Sequence, residues 1–260
     1  MASLFQYSIQ VADSPYWAFA VHDGHQVDSI AERFILLDET QRLREEDPYT
    51  ASISELPVNR LVVGTSRFQL DVNRKQEDAV YLRPEQAWGL SVWKDTLPST
   101  VLEQLYEDYR DFYRQIDRYI QQTIEQHGFF IVFDVHTYNA QRISEEEPVD
   151  KHANPQINLG TQYNRERWRP VVDRFVESVR NQQLLGEPID IRENVKFKGG
   201  NLAQHILHKF GSHGCVLSIE FRKDFMNEWT GQPYQSAILE YKQLLLHTLK
   251  DLQNLEIYGV

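Results

Sequence analysis

One run constrains this chain more than any other: Phe129-Phe130-Ile131-Val132-Phe133-Asp134-Val135-His136-Thr137. Six of its first seven residues are Phe, Ile or Val, and a glycine, Gly128, precedes them. A short apolar, partly β-branched run of this kind reads as a strand buried on both faces. It then gives way to Asp134, His136 and Thr137, polar groups that a strand interior does not favour. In open α/β sheets, ligands bind beyond the carboxyl ends of the strands. A His at such an end, two residues after an Asp, can ligate a metal through one ring nitrogen while the acid orients the ring. Taken alone it equally suits a hydrogen-bonded buried histidine.

The 260 residues suffice for one α/β domain spanning 1–260 with a sizeable core. A formal charge of −11 argues against nucleic acid or an anionic membrane as a partner, since neither gains from counterion release on an acidic surface. Cys215 is the single cysteine, so an intrachain disulfide and a Cys-based zinc site are excluded. The N-terminus lacks a basic region followed by an apolar core, and no run reaches membrane-spanning length. A soluble, cytoplasmic protein acting on a small molecule is the expectation, with the oligomeric state left open.

Alternation and apolar runs predict strands over 5–10, 17–21, 60–63, 68–72, 156–161 and 214–221 beside the central one. Three- and four-residue spacing predicts helices over 28–44, 48–55, 99–126, 164–182, 201–210 and 233–254, with Asp47 capping the second ahead of Pro48. The aromatic stripe of the longest helix reads as core, and Glu145-Glu146-Glu147 as a solvated acidic face. Strands alternating with helices give the fold class: α/β, a mixed, mostly parallel sheet with helices on both faces.

Three strand ends carry candidate chemistry: His22 and His25 after the second strand, His136, and Glu220 near the end of the last. The cluster Glu45-Glu46-Asp47 adds carboxylates. Two His and one carboxylate form a recurrent catalytic zinc set that leaves a position open for water. Water activated there needs a nearby carboxylate to accept its proton. No His-Glu-x-x-His motif, no Gly-x-Ser-x-Gly elbow and no phosphate-loop spacing is present. Ser66-Arg67-Phe68-Gln69-Leu70-Asp71-Val72-Asn73-Arg74 brings two guanidinium groups and an amide together, a set suited to bidentate recognition of a carboxylate. A structural salt bridge from Arg67 or Arg74 to Asp71 is the plainer alternative.

Taken in order, His-x-Gly, Ser-Arg-Phe-x-x-Asp-x-Asn-Arg, Asp-x-His-Thr, a Gly-Gly pair and a late strand ending in Glu resemble the N-formylglutamate amidohydrolase family over about residues 17–222. That family is similar in fold to zinc carboxypeptidases and aspartoacylases. The resemblance implies one zinc ion per chain, with His22 and His136 as ligands. The third ligand would come from the acidic cluster. Glu46 is favoured because Asp47 has a sufficient job as a cap, and Asp47 is the competitor. Asn73 and Arg74 would hold the substrate carboxylate, and Arg67 would bind substrate or polarise the scissile carbonyl. Glu220 would be the general base that activates the water on the metal, and Asp134 would support a ligand from behind. His25 would either stand in for an acid of the carboxypeptidase His-x-x-Glu spacing or bind substrate.

Three departures from the family pattern bear on the substrate more than on the reaction. His-Ser-Gly is His22-Asp23-Gly24 here, Ala51 stands where a further acid is expected, and Lys196 replaces a proline in Asn194-Val195-Lys196-Phe197-Lys198-Gly199-Gly200. The implied activity is cleavage of a short N-acyl amino acid such as N-formyl-L-glutamate. A metallocarboxypeptidase, with the aromatic loop around Trp88 and Trp93 lining its groove, and a non-catalytic small-anion binder are the rival readings. Fold likeness alone does not choose among them.

Overall fold

The run at 129–137 occupies the middle of a seven-stranded sheet as β4 (Phe130–Tyr138), buried along its whole length. This computed structural model describes residues 2–255, so Met1 and residues 256–260 of the domain expected over 1–260 lie outside the described residues. The other strands are β1 (Tyr7–Gln10), β2 (Tyr16–Ala20), β3 (Asn59–Val63), β5 (Ile157–Gly160), β8 (Ile191–Glu193) and β9 (Gly214–Arg222). They lie in the order β1-β3-β2-β4-β9-β5-β8. The pairs β2–β3, β2–β4, β4–β9 and β5–β8 are parallel, whereas β1–β3 and β5–β9 are antiparallel. A separate hairpin of β6 (Gln183–Leu184) and β7 (Glu187–Pro188) leads into β8, and neither the hairpin nor β8 is long enough to leave a periodic signal in the sequence.

Helices cover both faces. Alternate side chains of the strands separate into two cores, as the two-residue period of a strand requires. Ile131, Phe133 and Val135 pack with Ile53 of α2 (Thr50–Ile53), Phe175 of α4 (Arg169–Arg180) and Tyr241 of α6 (Gln235–Gln253). Phe130 and Val132 face the other way, onto Phe112 of α3 (Ser99–His127) and Ile206 of α5 (Asn201–Phe210). The aromatic stripe of α3 is therefore core.

Two expected elements are broken by competing hydrogen bonds. The helix expected over 28–44 is a single 3-10 turn at Ala31–Arg33 followed by α1 (Glu39–Glu45). Between them Leu36 donates to Val92 and Phe34 accepts from Lys94, and Asp38 restarts the helix through a capping box with Gln41. The strand expected over 68–72 is a turn with every residue buried, so no face alternates. Ser66 Oγ accepts from the Phe68 amide and Asp71 Oδ1 from the Asn73 amide, local bonds that compete with strand pairing. The helix expected over 164–182 begins as a 3-10 turn at Glu166–Trp168 before α4.

A candidate metal centre at the carboxyl edge of the sheet

The face of the sheet under α3 and α5 changes character along each central strand. On β4 the series Phe130, Val132 continues as Asp134, His136, and on β9 Val216 continues as Ser218, Glu220. Parallel register sets Asp134 opposite Ser218 and His136 opposite Glu220. His22 comes two residues after β2, the neighbour of β4 on its other side. These strand ends open into one cavity of about 600 Å³, within the roughly 300–1,000 Å³ usual for small-molecule sites.

At its floor, ligand atoms of His22, Asp47 and His136 all lie within 4.8 Å of one another. Each imidazole turns Nδ1 towards Asp47 Oδ2, at 3.3 Å from His22 and 3.1 Å from His136. Each gives its Nε2–H to a second buried carboxylate, His22 to Asp71 at 2.8 Å and His136 to Asp134 at 3.0 Å. With Nε2–H given to those carboxylates, each Nδ1 can exchange the proton it shares with Asp47 for a cation, the carboxylate-backed arrangement that metal-binding histidines use. Ser218 and Thr137 donate to Asp134 and Asp47, each at 3.1 Å.

The cluster contains Asp47 and not Glu46. Glu46, fully buried, turns away to accept from His25 Nδ1 and Ser66 Oγ. The reason for favouring Glu46 fails on the geometry of α2, whose N-terminal cap residue is Tyr49. The Asp47 carbonyl accepts from Thr50, and its carboxylate is left for the imidazoles. His25 is tied to Glu46 and does not line the cavity. It braces the segment before Asp47.

Carboxylates crowd the two imidazoles: Asp47, Asp71, Asp134 and Glu220 gather about His22 and His136, and Arg67 pairs with Asp71. Burial pushes the Asp47 carboxyl up, but hydrogen bonds from His136 and His22 outweigh it and hold the group far below the carboxylate range. Burial pushes His136 down, and Asp134 and Asp47 reverse this and raise it well above an ordinary histidine. Glu220 is raised to about 8 by burial, with the His136 charge opposing and the Asp47 charge adding.

Arg67 is locked, its Nε and a terminal nitrogen both on Asp71 Oδ2 at 3.1 and 2.7 Å, and its guanidinium lies 4.9 Å over the Trp88 ring. Asp71, expected at most as a salt-bridge partner, thus links Arg67 to His22. Arg74 is half-exposed, its nearest acid at 3.9 Å, and can swing to a ligand. Asn73 Oδ1 accepts from the Leu202 amide at 3.0 Å at the start of α5. Its Nδ2 stands 3.4 Å from His136 Nε2, whose hydrogen is committed to Asp134, so both amide hydrogens remain for a ligand. A Cβ on Gly200 would meet the Asn73 amide within 2.6 Å, so only glycine fits beside it. Trp88 lines the cavity, whereas Trp93 packs into the core. Lys223, buried, donates to the carbonyls of Arg44 and Glu46 at 2.6 and 2.8 Å and holds the segment that ends in Asp47. It gave no motif in the sequence. A lone lysine after a strand has no spacing to betray it.

The profile of the N-formylglutamate amidohydrolase family matches residues 15–226. The chain belongs to that family. Among solved structures, an N-formylglutamate amidohydrolase from Ralstonia eutropha JMP134 is similar at 12% identity and a TM-score of 0.71, covering 95% of this chain and 98% of that one. A gene product from Agrobacterium tumefaciens is similar at 14% identity and a TM-score of 0.63, covering 95% and 96%. Both share the fold. No curated protein matches significantly.

Against the family pattern, two of the departures meet in space. Asp23, where the family has Ser, accepts from the Ala51 amide at 2.8 Å and from Thr50 Oγ1 at 3.4 Å. The Asp23 carboxylate thus binds the first turn of α2 at the position where the acid was expected.

Proposed function

We propose that this chain is a zinc-dependent amidohydrolase that cleaves a short N-acyl amino acid, of which N-formyl-L-glutamate is representative. The observation that carries the reading is the convergence of two carboxylate-backed imidazoles on Asp47 with Glu220 beside His136. A zinc ion held by His22, Asp47 and His136 would supply Lewis acidity, polarising the scissile carbonyl and acidifying water. Glu220 would take a proton from the attacking water and return it to the leaving amine, a task suited to a carboxylate whose proton affinity burial has raised. Arg67, already fixed by Asp71, would stabilise the oxyanion without reorganising. Arg74 and the Nδ2 of Asn73 would bind the substrate carboxylate and so orient the amide.

No helix among the described residues is long and apolar enough to cross a membrane. A cytoplasmic location and a small-molecule carboxylate as partner belong to the same proposal. Initial rates on N-formyl-L-glutamate, N-acetyl-L-glutamate and a blocked dipeptide test the reading. Turnover of the N-acyl amino acids is expected. Turnover of the dipeptide alone would assign a carboxypeptidase instead.

A further inference from the structure

The loops after β4, β8 and β9 build a cavity wall whose polar groups have no part in that chemistry. Asn139, directly after β4, is 2% exposed. Its Nδ2 donates to the Arg44 carbonyl at 2.8 Å, while its Oδ1 has no hydrogen-bond partner among the described residues. Turning the amide over would set Oδ1 against that carbonyl, so the unpaired atom is the acceptor. That acceptor is sealed from solvent and calls for a donor, so an anion on this wall would have to be held by its ammonium hydrogens.

Two ammonium groups line the same cavity. Lys223 is 4% exposed and bonds only to main-chain carbonyls, which use two of its three hydrogens. Lys196 Nζ donates to the neutral Asn154 Oδ1 at 2.6 Å and stands 4.7 Å from the centre of the Tyr138 ring. No ion pair joins either lysine to a carboxylate among the described residues. Arg142, on the same wall, is already neutralised by Glu45 at 2.7 and 2.9 Å. The three residues line the cavity that holds His22, Asp47 and His136. Lys196 is also the position where this chain departs from the family's proline, a residue with no group to bind an anion. Arg67 and Arg74 follow β3, on the opposite side of the central strands from β8, the strand that Lys196 follows.

The geometry points to a second anion subsite, built from Lys196 and Lys223 beside Asn139, that takes a carboxylate on the acyl half of the substrate. This rests on the amidohydrolase reading and narrows it: the preferred amide joins an acidic amino acid to a dicarboxylic acid. A one-carbon acyl group would leave the wall unused.

N-glutaryl-L-glutamate and N-valeryl-L-glutamate have acyl chains of equal length and differ in the terminal carboxylate. With the purified metal-loaded full chain, kcat/KM is expected to favour the glutaryl amide by about tenfold, mainly through KM, the size of one charge-assisted hydrogen bond. Lys196→Met should bring the ratio near unity, and Lys196→Arg should keep most of it. No preference in the wild type, or a preference that survives Lys196→Met, would overturn the subsite. If neither amide is cleaved, calorimetric titration of the same pair reads the same ratio as affinities, with equal affinities counting against the subsite. Failure to cleave any amide, N-formyl-L-glutamate included, counts against the amidohydrolase reading alone.

Discussion

Asp47 separates the work of its backbone from that of its carboxylate. Its carbonyl serves the start of α2, and its carboxylate joins two imidazoles. Asp47→Asn should weaken zinc binding at least about 100-fold, beyond the 10–100-fold expected when a residue behind a ligand is lost, as in Asp134→Asn. Glu46→Gln should leave one zinc per chain, and metal analysis after dialysis distinguishes these outcomes. For Arg74→Ala, a lost charge-assisted hydrogen bond of about 1.5–3 kcal/mol translates into a KM raised roughly 10–100-fold with kcat little changed. An unaltered KM would remove Arg74 from substrate binding. The residue types of the site were legible because His136 and Glu220 each interrupt an apolar strand run near its end, and the spaced motifs around them supplied the rest. The choice between Glu46 and Asp47 was not, since they are adjacent acids and only the path of the chain before α2 separates them.

At the scale of elements, the site depends on short segments held by side-chain bonds. The stretch 66–74 alternates like a strand in sequence yet folds as a turn, because Ser66 and Asp71 offer the backbone nearer partners than a neighbouring strand would. That turn sets Arg67, Asp71 and Asn73 around His22 and α5, an arrangement that periodicity cannot reveal. Gly200→Ala should therefore push Asn73 aside and raise KM while zinc content stays at one per chain. Asp23→Ala removes the carboxylate that serves the first turn of α2 and should cost about 1 kcal/mol in thermal or denaturant unfolding. Long periodic elements such as α3, α5 and α6 were readable almost to the residue, since their core faces repeat over several turns.

Over the whole molecule, one face of the sheet ends in a polar edge where two imidazoles and Asp47 converge. Chelation should lower the unfolding temperature, and zinc at 1,000 times its dissociation constant should restore about 4 kcal/mol. Cys215 of β9, buried in the core that α4 and α6 cover, has its thiol pushed far up by burial. It should resist iodoacetamide until the chain unfolds, which makes its alkylation an independent gauge of folding in the chelated protein. The most direct test of the central claim is formate release from N-formyl-L-glutamate before chelation, after chelation and after zinc is added back. Release that disappears and returns with zinc, from protein whose Cys215 stays protected throughout, is the predicted result. Release that persists undiminished in protein shown to hold no metal would contradict the account.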